Sequence, residues 1–219
     1  MTTPRLVSIQ VGLPRQLGDA QDPLDPPWET GFFKVPIPGP VWVSQTQMAG
    51  DGQADLTVHG GPDKAILAYA TAHYPLWQAE LDKPEMAYGA FGENLTMEGQ
   101  TETTVCIGDT YQLGRVHFQV SQPRQPCWKL ARRWQQKDLP ARVVKTGRSG
   151  WYLRVLIPGE VTVGAALQLV ERPYPQWSVA QVGAILNGLN RDPQTVTALA
   201  QCTLLAANWR ERLARMSGS

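Results

Sequence analysis

Glycine and proline interrupt this chain so often that none of its elements can be long. The 219 residues include 20 glycines and 18 prolines. Proline breaks the interior of a helix or of a central strand, and glycine closes tight turns. The chain also has eight tryptophans, which are enriched in strands. We therefore expect a mainly β protein with some helices, an α+β fold, built as a barrel of short strands and not as a helical bundle.

Charge and cysteine content exclude several classes of protein. The 20 basic and 19 acidic residues leave a net charge of +1, so the charge gives no reason to expect binding to nucleic acid or to an anionic membrane. No stretch approaches the roughly 20 apolar residues of a membrane span, and the N-terminus has no signal-peptide core. The cysteines at 106, 127 and 202 do not form a disulfide framework. These features predict a cytoplasmic protein with reduced thiols.

Alternating apolar residues and turn signals predict the strands. We expect them at residues 6–11, 41–45, 64–69, 111–120, 151–156 and 161–170, with extended segments at 55–59 and 105–107. Residues 18–40 contain six prolines. They are expected to form a long surface loop with a short edge strand at 32–35.

Helices are predicted at 71–81, 127–134 and 139–146. The composition changes at Pro173, where capping signals at Ser178 and Asp192 and an amphipathic stretch at 202–216 predict three more helices. The chain is thus expected to have two parts. Residues 1–172 would form a β-barrel domain with an N-terminal extension, and residues 173–219 a three-helix C-terminal subdomain.

The segment Q-P-R-Q-P-C is the most informative stretch for function. Its Cys127 follows a proline at the expected start of a helix, where backbone N–H groups, Arg124 and Lys129 favour an anion. The thiolate is the form of cysteine that binds metals or attacks sulfur. A buried, inert cysteine is the alternative, because free cysteines are often buried. We interpret Cys106 and Cys202 in that second way.

Five segments occur in an order and spacing that resemble the MOSC domain family, named for the C-terminal domain of molybdenum cofactor sulfurase. They are V-H-G-G-P-D-K (58–64), G-A-F-G-E-N-L (89–95), I-G-D (107–109), P-R-Q-P-C (123–127) and R-S-G-W-Y-L-R-V (148–155). The resemblance covers about residues 41–170. The helices after 173 are similar to the three-helix extension of the YiiM branch of that family, which extends the resemblance to nearly the whole chain.

The resemblance implies a β-barrel that binds a molybdopterin-type molybdenum cofactor, with Cys127 as the molybdenum ligand. The implied activity is that of an oxidoreductase which detoxifies N-hydroxylated bases such as hydroxylaminopurine by reducing them to amines. It also implies a homodimer. Electrons are expected to come from a separate reductase, because the chain has too few cysteines for an iron–sulfur cluster and no G-x-G-x-x-G motif.

Other residues of the matched segments are candidates for binding or proton transfer. Three cations are expected to hold the cofactor's anionic groups, Asn94 to line the pocket, and two glycines to offer a backbone nest. The cations are Lys64, Arg124 and Arg154, and the glycines are Gly60 and Gly61. Among the catalytic candidates, His59 would protonate the departing oxygen and His73, near a helix start, would assist. Trp128 and Trp151 would either shape a pocket for a flat heterocycle or belong to the core, where large aromatic side chains usually lie.

Two other functions remain open from the residues alone. The same thiol would serve a sulfur carrier, with a persulfide on Cys127 and no permanently bound molybdenum. A binding module that delivers the molybdenum cofactor is the third possibility. Metal analysis separates these three functions.

Overall fold

The computed structural model describes residues 3–57 and 59–217. Val58, the first residue of one matched segment, lies outside them, as do the ends of the two predicted parts, Met1, Thr2, Gly218 and Ser219. The strands are β1 (Arg5–Val11), β2 (Arg15–Leu17), β3 (Trp28–Thr30), β4 (Val35–Pro36), β5 (Val41–Val43), β6 (Ile66–Ala70), β7 (Leu95–Glu98), β8 (Thr110–Leu113), β9 (Val116–Pro123), β10 (Trp151–Ile157), β11 (Gly159–Val161) and β12 (Leu167–Glu171).

The helices are α1 (Tyr74–Leu81), α2 (Trp128–Trp134), α3 (Leu139–Thr146), α4 (Val179–Leu186), α5 (Pro193–Ala200) and α6 (Ala207–Ser217). Both N-caps that were predicted for the C-terminal helices are present. Ser178 accepts a hydrogen bond from Gln181 N–H in a capping box, and Asp192 accepts one from Thr195 N–H. Within the described ranges, no helix is both long enough and apolar enough to cross a bilayer.

A curled sheet forms the centre of the molecule. Its strands lie in the order β12-β8-β9-β10-β6-β7-β1-β4, and β6 pairs with β7 in parallel while the other neighbours in this order run antiparallel. The two sides of the curl approach each other where Leu6 N–H donates to Ala165 O (3.0 Å) and Leu167 N–H to Pro4 O (2.8 Å). The predicted α+β class with a barrel-like sheet is confirmed.

The inner face of the sheet forms the main hydrophobic core, because alternate residues of each strand point to the same side. Val116, Phe118 and Val120 of β9 show this period and are fully buried. The C-terminal helices belong to the same core through Val179, Val182, Leu199, Leu205 and Leu213. Residues after 172 therefore pack directly onto the barrel, and their separation into a subdomain stays a prediction.

A second apolar cluster lies on the other side of β6, where α1, α2 and α3 pack. It contains Tyr69, Tyr74, Trp77, Phe91, Leu130, Leu139 and Val143. The rings of Tyr69 and Phe91 stack with centroids 4.5 Å apart. This cluster holds the loop that carries residues 89–94 against the helix that follows Cys127.

Several local predictions are wrong, each because a side chain or a tertiary contact overrides the pattern. Residues 55–57 do not form the predicted extended segment but begin a turn, since the Asp55 carboxylate accepts hydrogen bonds from Thr57 N–H and Oγ1. The predicted 18–40 loop includes β3, which pairs with β2 as a small hairpin. Cys202 lies before α6 and not within it.

Candidate functional site

A solvent-open cleft lies between the barrel and the loops at one of its ends. Its walls come from the residues around 30–34, 51–54, 59–64, 91–94 and 124–129. Six of the residues predicted from the sequence line it: His59, Gly60, Lys64, Asn94, Arg124 and Cys127. The tertiary structure thus brings together residues that are up to 68 positions apart in the chain.

Cys127 sits where the chain leaves the sheet and enters α2. Prolines at 123 and 126 end β9, and Cys127 then takes the N-cap position with extended backbone angles (φ −105°, ψ 166°). Its thiol is free and partly exposed on the cleft. The other two cysteines are buried, and burial raises the pKa of Cys106 and of Cys202. Cys127 is therefore the thiol that a ligand in the cleft can reach.

Arg124 forms a buried part of the cleft wall. Its side chain is only 4% exposed, its backbone N–H donates to Gly150 O (3.0 Å), and its Nη2 donates to Phe91 O (3.2 Å). Its Nη1 is buried and has no hydrogen-bond partner among the described residues. A buried donor without a partner costs about 1–3 kcal/mol, so this atom is suited to an acceptor that enters the cleft.

Cations outnumber anions on the described cleft walls. Lys34, Lys64, Arg124 and Lys129 face one carboxylate, Asp51. Burial lowers the pKa of Lys64, and burial lowers the pKa of Lys34 although Asp51 opposes that change. The excess positive charge favours an anionic ligand.

His59 has a lowered pKa in this environment. Burial is the largest cause, followed by the charges of Lys129, Lys64 and Arg124, while Asp55 acts in the opposite direction. At neutral pH its imidazole is therefore mainly uncharged. An uncharged imidazole donates one hydrogen bond and accepts another, but it holds no extra proton to give to a departing oxygen.

The pair of Lys34 and Asp51 is the part of the site that the sequence analysis missed. Lys34 Nζ contacts Asp51 Oδ1, Asn94 Nδ2 donates to Asp51 Oδ2 (2.8 Å), and Gly12 N–H donates to Asp51 Oδ1 (2.9 Å). Asn94 also accepts from Leu67 N–H (3.1 Å). Asn94 was predicted to line the pocket because it belongs to a matched segment. Lys34 lies in the proline-rich loop and Asp51 in a turn, and no sequence motif at either position indicates a site residue.

Two predicted site residues are turned away from the cleft. His73 is buried, with its Nε2 2.6 Å from Glu102 Oε2, and it does not line the cleft. Arg154 donates to Asp63 Oδ1 (2.8 Å), to Gln119 Oε1 (2.8 Å) and to Leu204 O (3.1 Å). Internal partners occupy both side chains, so the structure does not place either of them where a ligand in the cleft would touch it.

The predicted backbone nest at Gly60 and Gly61 is not formed. A nest alternates right- and left-handed helical angles, whereas Gly61 has φ 81° and ψ 172°. Gly60 lines the cleft but Gly61 does not. Gly60 also has positive φ, and a Cβ there would lie 3.2 Å from Gln53 Oε1, so this glycine is required by the turn that carries His59.

Glu93 shapes the loop beside Asn94. It is completely buried and accepts hydrogen bonds from Gly89 N–H (2.7 Å), Phe91 N–H (3.1 Å) and Thr96 Oγ1 (3.1 Å). Its role is to fold the G-A-F-G-E-N-L segment so that Phe91 O and Asn94 face the cleft region.

Comparison with known proteins identifies a family model and relatives that match this chain. The family model described as MOSC domain matches residues 55–168. Protein YiiM of Escherichia coli is 36% identical over 195 residues, which span 86% of each chain. A protein of Gibberella moniliformis named Reductase is 40% identical over 179 residues, which span 80% of this chain and 31% of that one.

A solved structure agrees over nearly the full length. The crystal structure of YiiM from Geobacillus stearothermophilus has a TM-score of 0.81 and 36% sequence identity, and the match covers 98% of this chain and 99% of that chain. The family model and the relatives agree with each other, and the chain belongs to the MOSC domain family as a YiiM-like member.

Proposed function

We propose that this protein is a molybdenum-cofactor-dependent oxidoreductase that reduces N-hydroxylated bases, such as hydroxylaminopurine, to amines and so detoxifies them in the cytoplasm. MOSC domains are associated with the molybdenum cofactor, and relatives named YiiM and Reductase support an oxidoreductase role. The observation that carries the proposal is a reachable thiol, Cys127, in a cleft whose described walls are dominated by cations.

The thiol fits the metal of this cofactor. Thiolate is a soft ligand, suited to a metal that is already bound by sulfur. Among the described residues, no group of three His, Cys, Asp or Glu side chains is placed to hold a metal ion. In this proposal Cys127 contributes one sulfur, and the dithiolene of the pterin contributes the others.

The cations fit the anionic part of the cofactor. Arg124 offers a buried Nη1, and Gln125 a buried Nε2, neither with a hydrogen-bond partner among the described residues. Both side chains line the cleft. Lys64 and Lys129 add positive charge nearer the solvent. In this proposal Arg124 and Lys64 hold the phosphate by charge-assisted hydrogen bonds.

The bound cofactor would supply the two electrons that break the N–O bond. The protein's residues would orient the substrate and its departing oxygen. Asn94 is fixed by Asp51 and Leu67 and supplies polar atoms at the cleft wall, while His59 supplies an imidazole that is mainly neutral before ligand binding. An anion bound beside Lys64 and Arg124 would offset their charges and raise the pKa of His59, which would restore its ability to give a proton.

The electrons would come from a separate reductase, and the active form would be a homodimer. The sulfur-carrier and delivery functions require the same Cys127 thiol, so they are separated from reduction by metal content and turnover. A sulfur carrier would hold a persulfide on Cys127 without permanent molybdenum. A delivery module would hold the cofactor without turnover.

The test is metal analysis and turnover of protein purified from a host that makes the cofactor. We expect about one molybdenum and one pterin per chain, and reduction of hydroxylaminopurine when an electron donor is supplied. Cys127→Ala and Cys127→Ser should fold normally and lose turnover, because the described cleft walls offer no second thiol. Cys202→Ala, at a buried thiol outside the cleft, is the matched control and should keep turnover. Near wild-type turnover of Cys127→Ala would refute the ligand role.

A further inference from the structure

The buried pair of His73 and Glu102 contacts one support of Arg124, Gly150, directly and reaches the other, Phe91, through Tyr69. Their side chains are almost completely buried, with Nε2 and Oε2 2.6 Å apart. Neither lines the cleft. His73 therefore does not fit the direct catalytic role predicted for it, but two chains of contacts lead from this pair to Arg124.

The first chain of contacts reaches the backbone of Arg124. Glu102 Oε1 accepts a hydrogen bond from Gly150 N–H (2.7 Å), and Gly150 O accepts one from Arg124 N–H (3.0 Å). Gly150 has φ +77°, and a Cβ at this position would lie 2.5 Å from Ala68 O. Gly150, whose carbonyl supports Arg124, is thus closely approached by the Ala68 backbone and held at its own N–H by Glu102.

The second chain of contacts reaches the guanidinium. Arg124 Nη2 donates to Phe91 O (3.2 Å), and the Phe91 ring stacks on Tyr69 at 4.5 Å and 13°. Tyr69 in turn meets the His73 ring edge-on, with centroids 5.3 Å apart. A shift of His73 would therefore be transmitted to the residue whose carbonyl holds the Arg124 side chain.

We propose that His73 and Glu102 are positioning residues which fix Arg124 at both ends and so hold its unpartnered Nη1 ready for an anion. The inference rests on the proposed function in one respect, that the cleft binds the anionic part of a cofactor. Recognition sites need their donors held within about 0.5 Å, which is the task of such supporting hydrogen bonds.

The test measures anion binding directly, with pyrophosphate as the probe on the full chain purified from a host that lacks the cofactor. Calorimetry would compare wild type, Glu102→Gln, Arg124→Ala and the double variant. We expect Arg124→Ala to weaken pyrophosphate binding about 10-fold or more. Glu102→Gln should weaken it several-fold and should add little in the Arg124→Ala background, because residues that act through one group are not additive.

Asp109→Asn is the matched control for loss of a buried carboxylate. Asp109 is also fully buried and accepts hydrogen bonds from Cys106 N–H (2.9 Å) and from the Tyr111 hydroxyl (2.9 Å), but it does not line the cleft. This variant should melt at a lower temperature and bind pyrophosphate as wild type does. A merely structural role for Glu102 would make the two carboxylate variants alike in both measurements.

If Glu102→Gln fails to fold, His73→Gln replaces it in the same cycle, because that variant leaves the bond between Glu102 and Gly150 in place. The inference is overturned if the folded variant binds pyrophosphate with wild-type affinity, if its effect is fully additive with Arg124→Ala, or if Asp109→Asn loses as much. Since neither molybdenum nor turnover enters this measurement, its failure would leave the tests of the proposed function unaffected.

Discussion

Arg124 directly follows β9, and Arg154 lies on the neighbouring strand β10. Both were expected from the sequence to hold an anionic cofactor, but their hydrogen-bond partners in the structure differ. Arg154 is paired with Asp63 and its remaining donors reach Gln119 and Leu204 O. Arg124 has no carboxylate partner within the described residues, and its Nη1 is unsatisfied there.

The difference shows that charge alone does not mark an anion site. A guanidinium has five N–H donors, and the ones that internal acceptors have not used are those that recognise a ligand. Arg154 joins the barrel to the segment before α6 through Leu204 O, so its region is structural. Arg124 lines the cleft and leaves its Nη1 without an internal partner among the described residues, so its region is suited to binding.

The largest expected effect comes from removing residues 173–219. This deletion would take away Leu204 O from Arg154 and the apolar residues of α4 to α6 from the shared core, while all the cleft-lining residues would remain. We expect an aggregated or poorly soluble barrel, because the exposed core face would lose its cover. Size-exclusion chromatography and molybdenum content of the truncated and full chains measure this. A monodisperse, cofactor-loaded truncated chain would show that the barrel and its cleft do not depend on the C-terminal helices.

Alanine substitution of the two arginines tests the comparison itself. Arg124→Ala, and similarly Lys64→Ala, should weaken cofactor retention by about 1.5–3 kcal/mol, roughly 10- to 150-fold. Arg154→Ala should leave retention nearly unchanged and lower the melting temperature, because Asp63 and Gln119 lose their partner. Retention is measured as pterin content after dialysis, and stability by thermal unfolding. Equal retention in the Arg124 and Arg154 variants would contradict the distinction.

Acidification should lower the stability of the folded protein because His59 becomes protonated beside the cations of the cleft. Its pKa lies below its ordinary value of 6.5 because of burial and three neighbouring cations. The folded state then binds fewer protons than the unfolded state below that pH, so stability falls as pH decreases from about 6.5 through the lowered pKa. His59→Gln should flatten this dependence. Nuclear magnetic resonance titration of His59 should also show its pKa rising when pyrophosphate is added, and an unchanged pKa would mean that the anion binds elsewhere.

The smallest expected effect concerns the two tryptophans that were predicted to contact a flat substrate. Trp151 is 1% exposed and belongs to the core, whereas Trp128 is 55% exposed, between the cleft residues Cys127 and Lys129. Trp128→Ala should raise KM for hydroxylaminopurine a few-fold, with little change in kcat, because stacking on an aromatic ring contributes roughly 1 kcal/mol. A small aliphatic N-hydroxylated substrate is the control and should show no change. Equal effects on both substrates would remove Trp128 from substrate recognition.

The sequence by itself determined the elements whose signals are local. Cys127 follows a proline at the start of α2, and Ser178 and Asp192 begin helices, all as predicted. Pro123 and Pro126 also end β9, and Gly147 ends α3. These outcomes follow from backbone geometry and capping within a few residues. The resemblance carried by the five segments likewise gave the family, and it gave six residues that line one cleft.

Only the tertiary structure decided which charged and polar groups are already satisfied. Whether Arg154 meets Asp63, whether His73 meets Glu102 29 positions away, and whether Lys34 reaches Asp51 depend on long-range packing that no local pattern encodes. The turn at residues 55–57 was likewise decided by the Asp55 side chain over strand propensity. A hydrogen-bonding group becomes available for function only when folding leaves it without an internal partner, and that depends on residues distant in the sequence.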